Sequence, residues 1–249
     1  DTMPSSHPFK SSKPLFENRG ELSLSSPYSI VVDQNITIQL LTNRSVDQIT
    51  ASNLPVGLEL NSSLSVLQGT PSSTGVYQSI FETSNEAGSL RKTITFNVKD
   101  FRPWIYRANI DFPGYTSPSD LVDFPVYVEL NNSVPGFSYE QFASGFGHDL
   151  RFLSSDGRSE LAYEPIEWNA EGTSSFWVLL EKFDANTSIQ AIWGNPNYDS
   201  QPSYCLDGTV WGKYRAVWHM DGSDLTLVRD SRSSYHATPY ISDELRVKG

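Results

Sequence analysis

Between residues 92 and 98 the chain alternates strictly. Thr93, Thr95 and Asn97 fall on one side, and Ile94, Phe96 and Val98 on the other. A period of two predicts a half-buried antiparallel strand. Ile36, Ile38 and Leu40 repeat the pattern, and residues 21–24, 28–32 and 76–82 also read as strands. The second half continues with strand-like runs at 104–110, 124–130, 149–153, 161–168, 175–180 and 189–193. Gly- and Pro-containing clusters stand between the runs, as at Gly69-Thr70-Pro71, Ser154-Ser155-Asp156-Gly157 and Gly194-Asn195-Pro196. Short strands punctuated by turn residues predict an all-β chain.

Breaks in the pattern suggest the organisation. Residues 1–20 carry Pro, Ser and Lys in clusters and read as a linker or N-terminal extension. The strand ending at Val98 runs into Lys99-Asp100-Phe101-Arg102-Pro103, and Pro103 cannot donate to a ladder. A first sandwich is therefore expected over 21–100 and a second over 104–200, and over 201–249 the reading changes. Gly57 and Gly69 are expected at turn positions where positive φ or close backbone approach excludes other residues.

Ordered motifs sharpen this outline. Asn53-Leu54-Pro55-Val56-Gly57-Leu58, Gly69-Thr70-Pro71, Thr74-Gly75-Val76-Tyr77 and Asn85-Glu86-Ala87-Gly88 occur in sequence. Together they resemble the immunoglobulin-like (cadherin-like) repeats of bacterial surface proteins, over roughly 24–99. That resemblance implies a modular surface or secreted protein. Over roughly 104–198, Phe124-Pro125-Val126-Tyr127-Val128-Glu129-Leu130, Asp149-Leu150-Arg151-Phe152, Tyr163-Glu164, Phe176-Trp177-Val178 and Trp193-Gly194-Asn195-Pro196 resemble a bacterial domain family without an established function. Trp193 stands where that family usually has Tyr. The resemblance implies a jelly-roll-like β-sandwich of large extracellular proteins, one that often precedes a concanavalin-A-like (laminin-G-like) module. Val217-Trp218-His219-Met220-Asp221 and residues 230–238 resemble the opening of that module. The remaining strands of such a module do not fit before Gly249, so a fragment is expected, or a segment that pairs onto something else.

Composition narrows the function. A net charge of −11 argues against a basic patch for nucleic acid or anionic membranes. Cys205 is the single cysteine, which excludes an intrachain disulfide and a Cys-based zinc site. No run of about 20 apolar residues predicts a membrane-spanning helix. Asn35, Asn43, Asn61, Asn131 and Asn186 open Asn-x-Ser/Thr acceptors, which matter only in a glycosylating secretory route.

Candidate chemistry is sparse. Four His are present without a Gly-x-Ser-x-Gly elbow. Glu164 and Glu167 lie three apart on one strand, so strict alternation sends them to opposite faces and not into an acid/base pair. No motif requires a cofactor. Calcium is the one ion for which loop carboxylates offer ligands, at Asp120 with Asp123 or Asp221 with Asp224, although EF-hand spacing is absent. Trp177 sits in an apolar run and reads as core. Trp168 ends a strand beside Glu167, and with Tyr163 and Trp193 it forms the candidate ligand-binding set, since sugars stack on exposed rings and carboxylates accept their hydroxyls.

The sequence thus predicts tandem β-sandwiches, immunoglobulin-like and then jelly-roll-like, in a secreted or cell-surface protein. The expected role is non-catalytic: adhesion, or binding of a glycan or protein on another surface. The alternatives are a structural subunit of a filament or sheath, self-associating through sheet edges, or an accessory region of a polysaccharide-degrading enzyme.

Overall fold

The computed structural model describes residues 19–220 and 227–238. They fall into two compact units divided between Phe101 and Arg102. The chain is all-β, built as tandem sandwiches.

In the first unit, one sheet contains β1 (Tyr28–Val31), β7 (Gly88–Lys99), β6 (Gly75–Asn85) and β3 (Gln48–Ser52), in that spatial order. The other sheet orders β2 (Ile36–Gln39), β5 (Val66–Gly69) and β4 (Leu58–Asn61). β6 and β7 form a long hairpin, and β1 joins β7 in parallel, Tyr28 opposite Phe96 and Val31 opposite Lys99. Ile94, Phe96 and Val98 of β7 point into the core with Phe81, Leu67, Ile49 and Ile36. The alternation read from the sequence is thus the alternation of burial. Residues 21–24 form no strand and contribute a single bridge, Leu22 to Thr42.

Two glycines let the backbone cross itself at one end of the smaller sheet. Gly57 has φ +94° and Gly69 φ +128°. A Cβ on Gly57 would lie 2.0 Å from the Thr70 carbonyl oxygen, and one on Gly69 would lie 2.2 Å from the Gly57 carbonyl oxygen. The Thr70 amide donates to that same Gly57 carbonyl at 3.1 Å, so neither segment can retreat without breaking the bond.

The second unit places β11 (Glu160–Leu161), β10 (Arg151–Ser154), β14 (Ser188–Trp193) and β8 (Tyr106–Asp111) in one sheet. β12 (Tyr163–Glu167), β13 (Ser174–Phe183) and β9 (Leu121–Leu130) form the other. The core between them includes Val126, Val128, Phe152, Tyr163, Phe176, Val178, Ile189 and Trp193. β8 and β9 each end their sheet and leave an open strand edge. Beyond β14, single turns of 3-10 helix at Ser203–Cys205 and Thr209–Trp211 bring the chain back against the smaller sheet. Bridges Trp218–Asp230 and Val228–Ala237 close the described part. Among the described residues, this last segment therefore pairs with itself, and its 3-10 turns pack against β12 and β13.

Gly57→Val and Gly69→Val should each lower stability by about 1 kcal/mol or more, because the left-handed backbone and the carbonyl contact both oppose a Cβ. Urea unfolding of the intact chain measures this, and an unchanged midpoint in either variant would count against it.

Candidate functional site

In β13, Phe176, Val178 and Leu180 point into the core, which sends Trp177 and Leu179 to the outer face. Trp177 lies opposite Tyr127 of β9 and Glu164 of β12, so the three share one row across the sheet. Trp177 was expected in the core. It is half-buried on the outer face instead, because a run without polar residues carries no period to say which side is which. The Tyr127 and Trp177 rings meet edge to face at 5.3 Å, and Trp211 continues the row at 5.4 Å from Trp177.

Glu164 is the polar end of this row. Its carboxylate accepts hydrogen bonds from Trp211 Nε1, from Ser231 Oγ at 2.8 Å, and from His219 Nε2 at 3.3 Å. Those donors come from three separate stretches of the chain's last part, so one carboxylate pins that part to the sheet. Burial alone would raise the Glu164 carboxyl. The hydrogen bonds from His219, Trp211 and Ser231 outweigh it and hold the group below its ordinary value. Asp230 organises the same region. Burial pushes its carboxyl up, yet the backbone N–H groups of Val217, Arg232, Tyr235 and Ser234 pull it down to about 2.

Glu167 departs from the simple alternation. The register shifts between Pro165 and Glu167, so Pro165 pairs with Phe176 while Glu167 pairs with Ser175. The extra residue, Ile166, restores Glu167 to the outer face on which Glu164 stands. Glu167 is exposed, whereas Glu164 is taken up by its three donors, so the two carboxylates still do not converge on one reaction centre.

The expected ligand-binding set is dispersed. Tyr163 is 1% exposed and its hydroxyl donates to the Leu150 carbonyl at 3.0 Å. Trp193 is 0% exposed and its Nε1 donates to Gln141 Oε1 at 3.0 Å. Both are core residues and offer no surface to a ligand. Trp168 turns inward from Glu167. It packs edge-on against Tyr139 and Phe142 at 5.3 and 4.9 Å, lies over Gly147, and donates to the Gly145 carbonyl at 2.9 Å. Trp168 and Glu167 therefore do not form a joint rim. Asp120 sits 3.1 Å from Lys182, and Asp123 sits 3.1 Å from Lys213. Each acid already faces a cation, and the described residues contain no cluster of three acid, His or Cys groups for an ion. Asp221 and Asp224 lie outside the described residues.

A feature absent from those expectations lies between the end of β8, with the loop that follows it, and the open edge of β9. A groove of about 440 Å³ is lined by Asp111, residues 112–115, residues 124–127, Trp177 and Phe183. Phe183 is buried and forms its floor, with Tyr115 at 4.5 Å, Phe112 at 5.4 Å and Phe124 at 6.1 Å between ring centres. Tyr127 stands at its side, 48% exposed and braced by Trp177. Of these residues only 124–127 and Trp177 fall in stretches that the sequence pattern marks, and nothing in that pattern brings them together.

Residues 20–99 match the family model described as "Putative Ig domain", and this stretch is an immunoglobulin-like module. No curated protein matches the sequence. Among solved structures, a "putative alpha-galactosidase" from Bacteroides fragilis is 20% identical, covering 33% of this chain and 18% of that one, with a TM-score of 0.30. An endo-fucoidan hydrolase of glycoside hydrolase family 107 is 14% identical over 76% of this chain and 30% of its own, with a TM-score of 0.29. A three-immunoglobulin-domain fragment of titin is 12% identical over 74% of this chain and 66% of its own, with a TM-score of 0.26. The chain thus spans less than a third of either hydrolase. Likenesses at these TM-scores carry no functional weight. Among the described residues, no helix is long and apolar enough to cross a membrane.

A carboxyl held low in the folded chain contributes stability above its unfolded pKa, and that contribution disappears as pH falls through the folded value. Glu164 and Asp230 both belong to this class. Acidification from pH 5 towards about pH 2 should therefore loosen the last part of the chain. Glu164→Gln should be less stable than the native chain at neutral pH and should lose less stability on acidification. Melting temperatures of both proteins across that range test this; parallel pH curves would exclude Glu164 as the pin.

Proposed function

We propose that this chain is a non-catalytic extracellular module in which the first sandwich acts as a spacer and the second contacts a glycan or protein on another surface. The observation that carries this reading is the difference between the two exposed surfaces. Among the described residues, the large apolar residues exposed on the first unit are aliphatic: Leu41, Val56, Leu64, Val76 and Ile80. Isolated aliphatics of that kind are ordinary on a protein surface. The second unit exposes rings, among them Tyr127, Phe146, Tyr198, Tyr214, Trp218 and Tyr235. Aromatic side chains bring a large contact area at low conformational cost, and Tyr and Trp add a polar tip. The immunoglobulin-like match over 20–99 supports the spacer role of the first unit. The geometry at Glu164 supports binding over catalysis, because all three partners of its carboxylate are structural donors from the same chain.

The test is adhesion of the fluorescently labelled intact chain to bacterial and animal cell surfaces, before and after periodate oxidation of their glycans. Retention on at least one surface is expected, with no fragments of the surface polymer released. Failure to adhere to any surface, or release of polymer fragments, would overturn the reading.

A further inference from the structure

We propose that the groove between the end of β8 and the open edge of β9 is a subsite for one pyranose ring of a neutral glycan. The proposal rests on the second sandwich being the contact-bearing unit. Size is the first argument. About 440 Å³ lies within the range of roughly 300–1,000 Å³ typical of small-molecule sites, which are mostly apolar with a few placed polar groups. The lining fits that description: six aromatic side chains, Val126 and two prolines supply the apolar surface, and Asp111 supplies a carboxylate.

The shape of a pyranose matches this division. One face of the sugar presents C–H groups, which are attracted to the electron-rich faces of aromatic rings. Its rim carries hydroxyls that both donate and accept. Asp111 accepts from such hydroxyls, and the open backbone edge of β9 provides carbonyl and amide partners. Tyr127 is held in place by Trp177 while about half of it remains uncovered, so a stacking partner is already oriented before a ligand arrives.

Charge and backbone select among occupants. Asp111 is the sole charged residue in the lining, within a chain of net charge −11. An anionic sugar would meet repulsion there, which favours a neutral one. A peptide adding itself as a strand would need a regular run of edge groups. β9 interrupts that run beside the groove, with Asp123 at φ +50° and Pro125 lacking an N–H. The edge therefore suits scattered hydroxyl contacts better than a continuous ladder.

The experiment titrates the intact chain with neutral gluco-, galacto-, manno- and xylo-oligosaccharides and with oligogalacturonate, read by tryptophan fluorescence and calorimetry. At least one neutral oligosaccharide should bind and oligogalacturonate should not. Tyr127→Ala should weaken binding by about tenfold or more, while Tyr127→Phe keeps the ring and stays within about threefold. Gly114→Trp, at an exposed position where a Cβ meets nothing within 4 Å, should block the groove without disturbing the fold. Melting curves of the three variants establish that each is folded. Adhesion of the chain to cell surfaces without binding of any neutral oligosaccharide would overturn this subsite while leaving the wider reading standing. Sugar binding unchanged in folded Tyr127→Ala and Gly114→Trp would overturn it too, as would equal binding of oligogalacturonate or displacement by an extended peptide but not by sugars.

Discussion

One buried carboxylate holds an end of the second sandwich together. Asp149 is fully enclosed, and its oxygens accept from the backbone N–H groups of Ala143, Ser144 and Gly194. Its own carbonyl accepts from Trp104 Nε1. A charge in such a place is tolerable only when its lone pairs are met, and here four donors from three distant stretches meet the residue. They tie the entry to β8, the loop before β10 and the exit of β14 to one point. Arg151, two residues on, repeats the device with opposite sign. Its guanidinium lies 3.3 Å from Glu160, donates to the His148 and Leu150 carbonyls, and rests against the Trp104 and Tyr198 rings. The sheet of β11, β10, β14 and β8 is anchored in this way, and Phe152 and Trp193 carry that anchoring into the aromatic core.

The same economy appears at Glu164, on the opposite side of the smaller sheet. There the carboxylate organises the last part of the chain instead of the sandwich. Tyr204 reinforces the attachment by donating to Glu160, the partner of Arg151. Burial, followed by the negative charge of Glu160 beside it, pushes the Tyr204 hydroxyl well above its ordinary range, so it remains a donor at every physiological pH. The last part of the chain is thus fastened at two carboxylates, one on β12 and one on β11.

The strands were legible where polar and apolar residues alternate, as in β7, and the Gly57 and Gly69 turns were legible from their neighbours. Trp177 was not, because residues 174–180 offer almost no polar contrast. Glu167 was misplaced for a different reason: a bulge of one residue reverses every inference drawn from parity, and Pro165, which strands admit only at edges or bulges, was its one signal. Tyr163 and Trp193 were taken for surface candidates because ring content says nothing about depth. The groove joins Asp111, Tyr127, Trp177 and Phe183, whose proximity follows from how the two sheets stack, a property that no local window contains.

The parallel pairing of β1 with β7 has a mechanical consequence. Residues 19–24 lead the chain in, with Leu22 bridged to Thr42, before it runs into β1; it leaves through β7, which points in the same direction as β1. Tension applied along the chain drags them past each other lengthwise. The bonds from Tyr28–Phe96 to Val31–Lys99 then bear the load together and do not open one after another, as they would in a hairpin peeled from its end. A unit fastened in this way extends little before it yields.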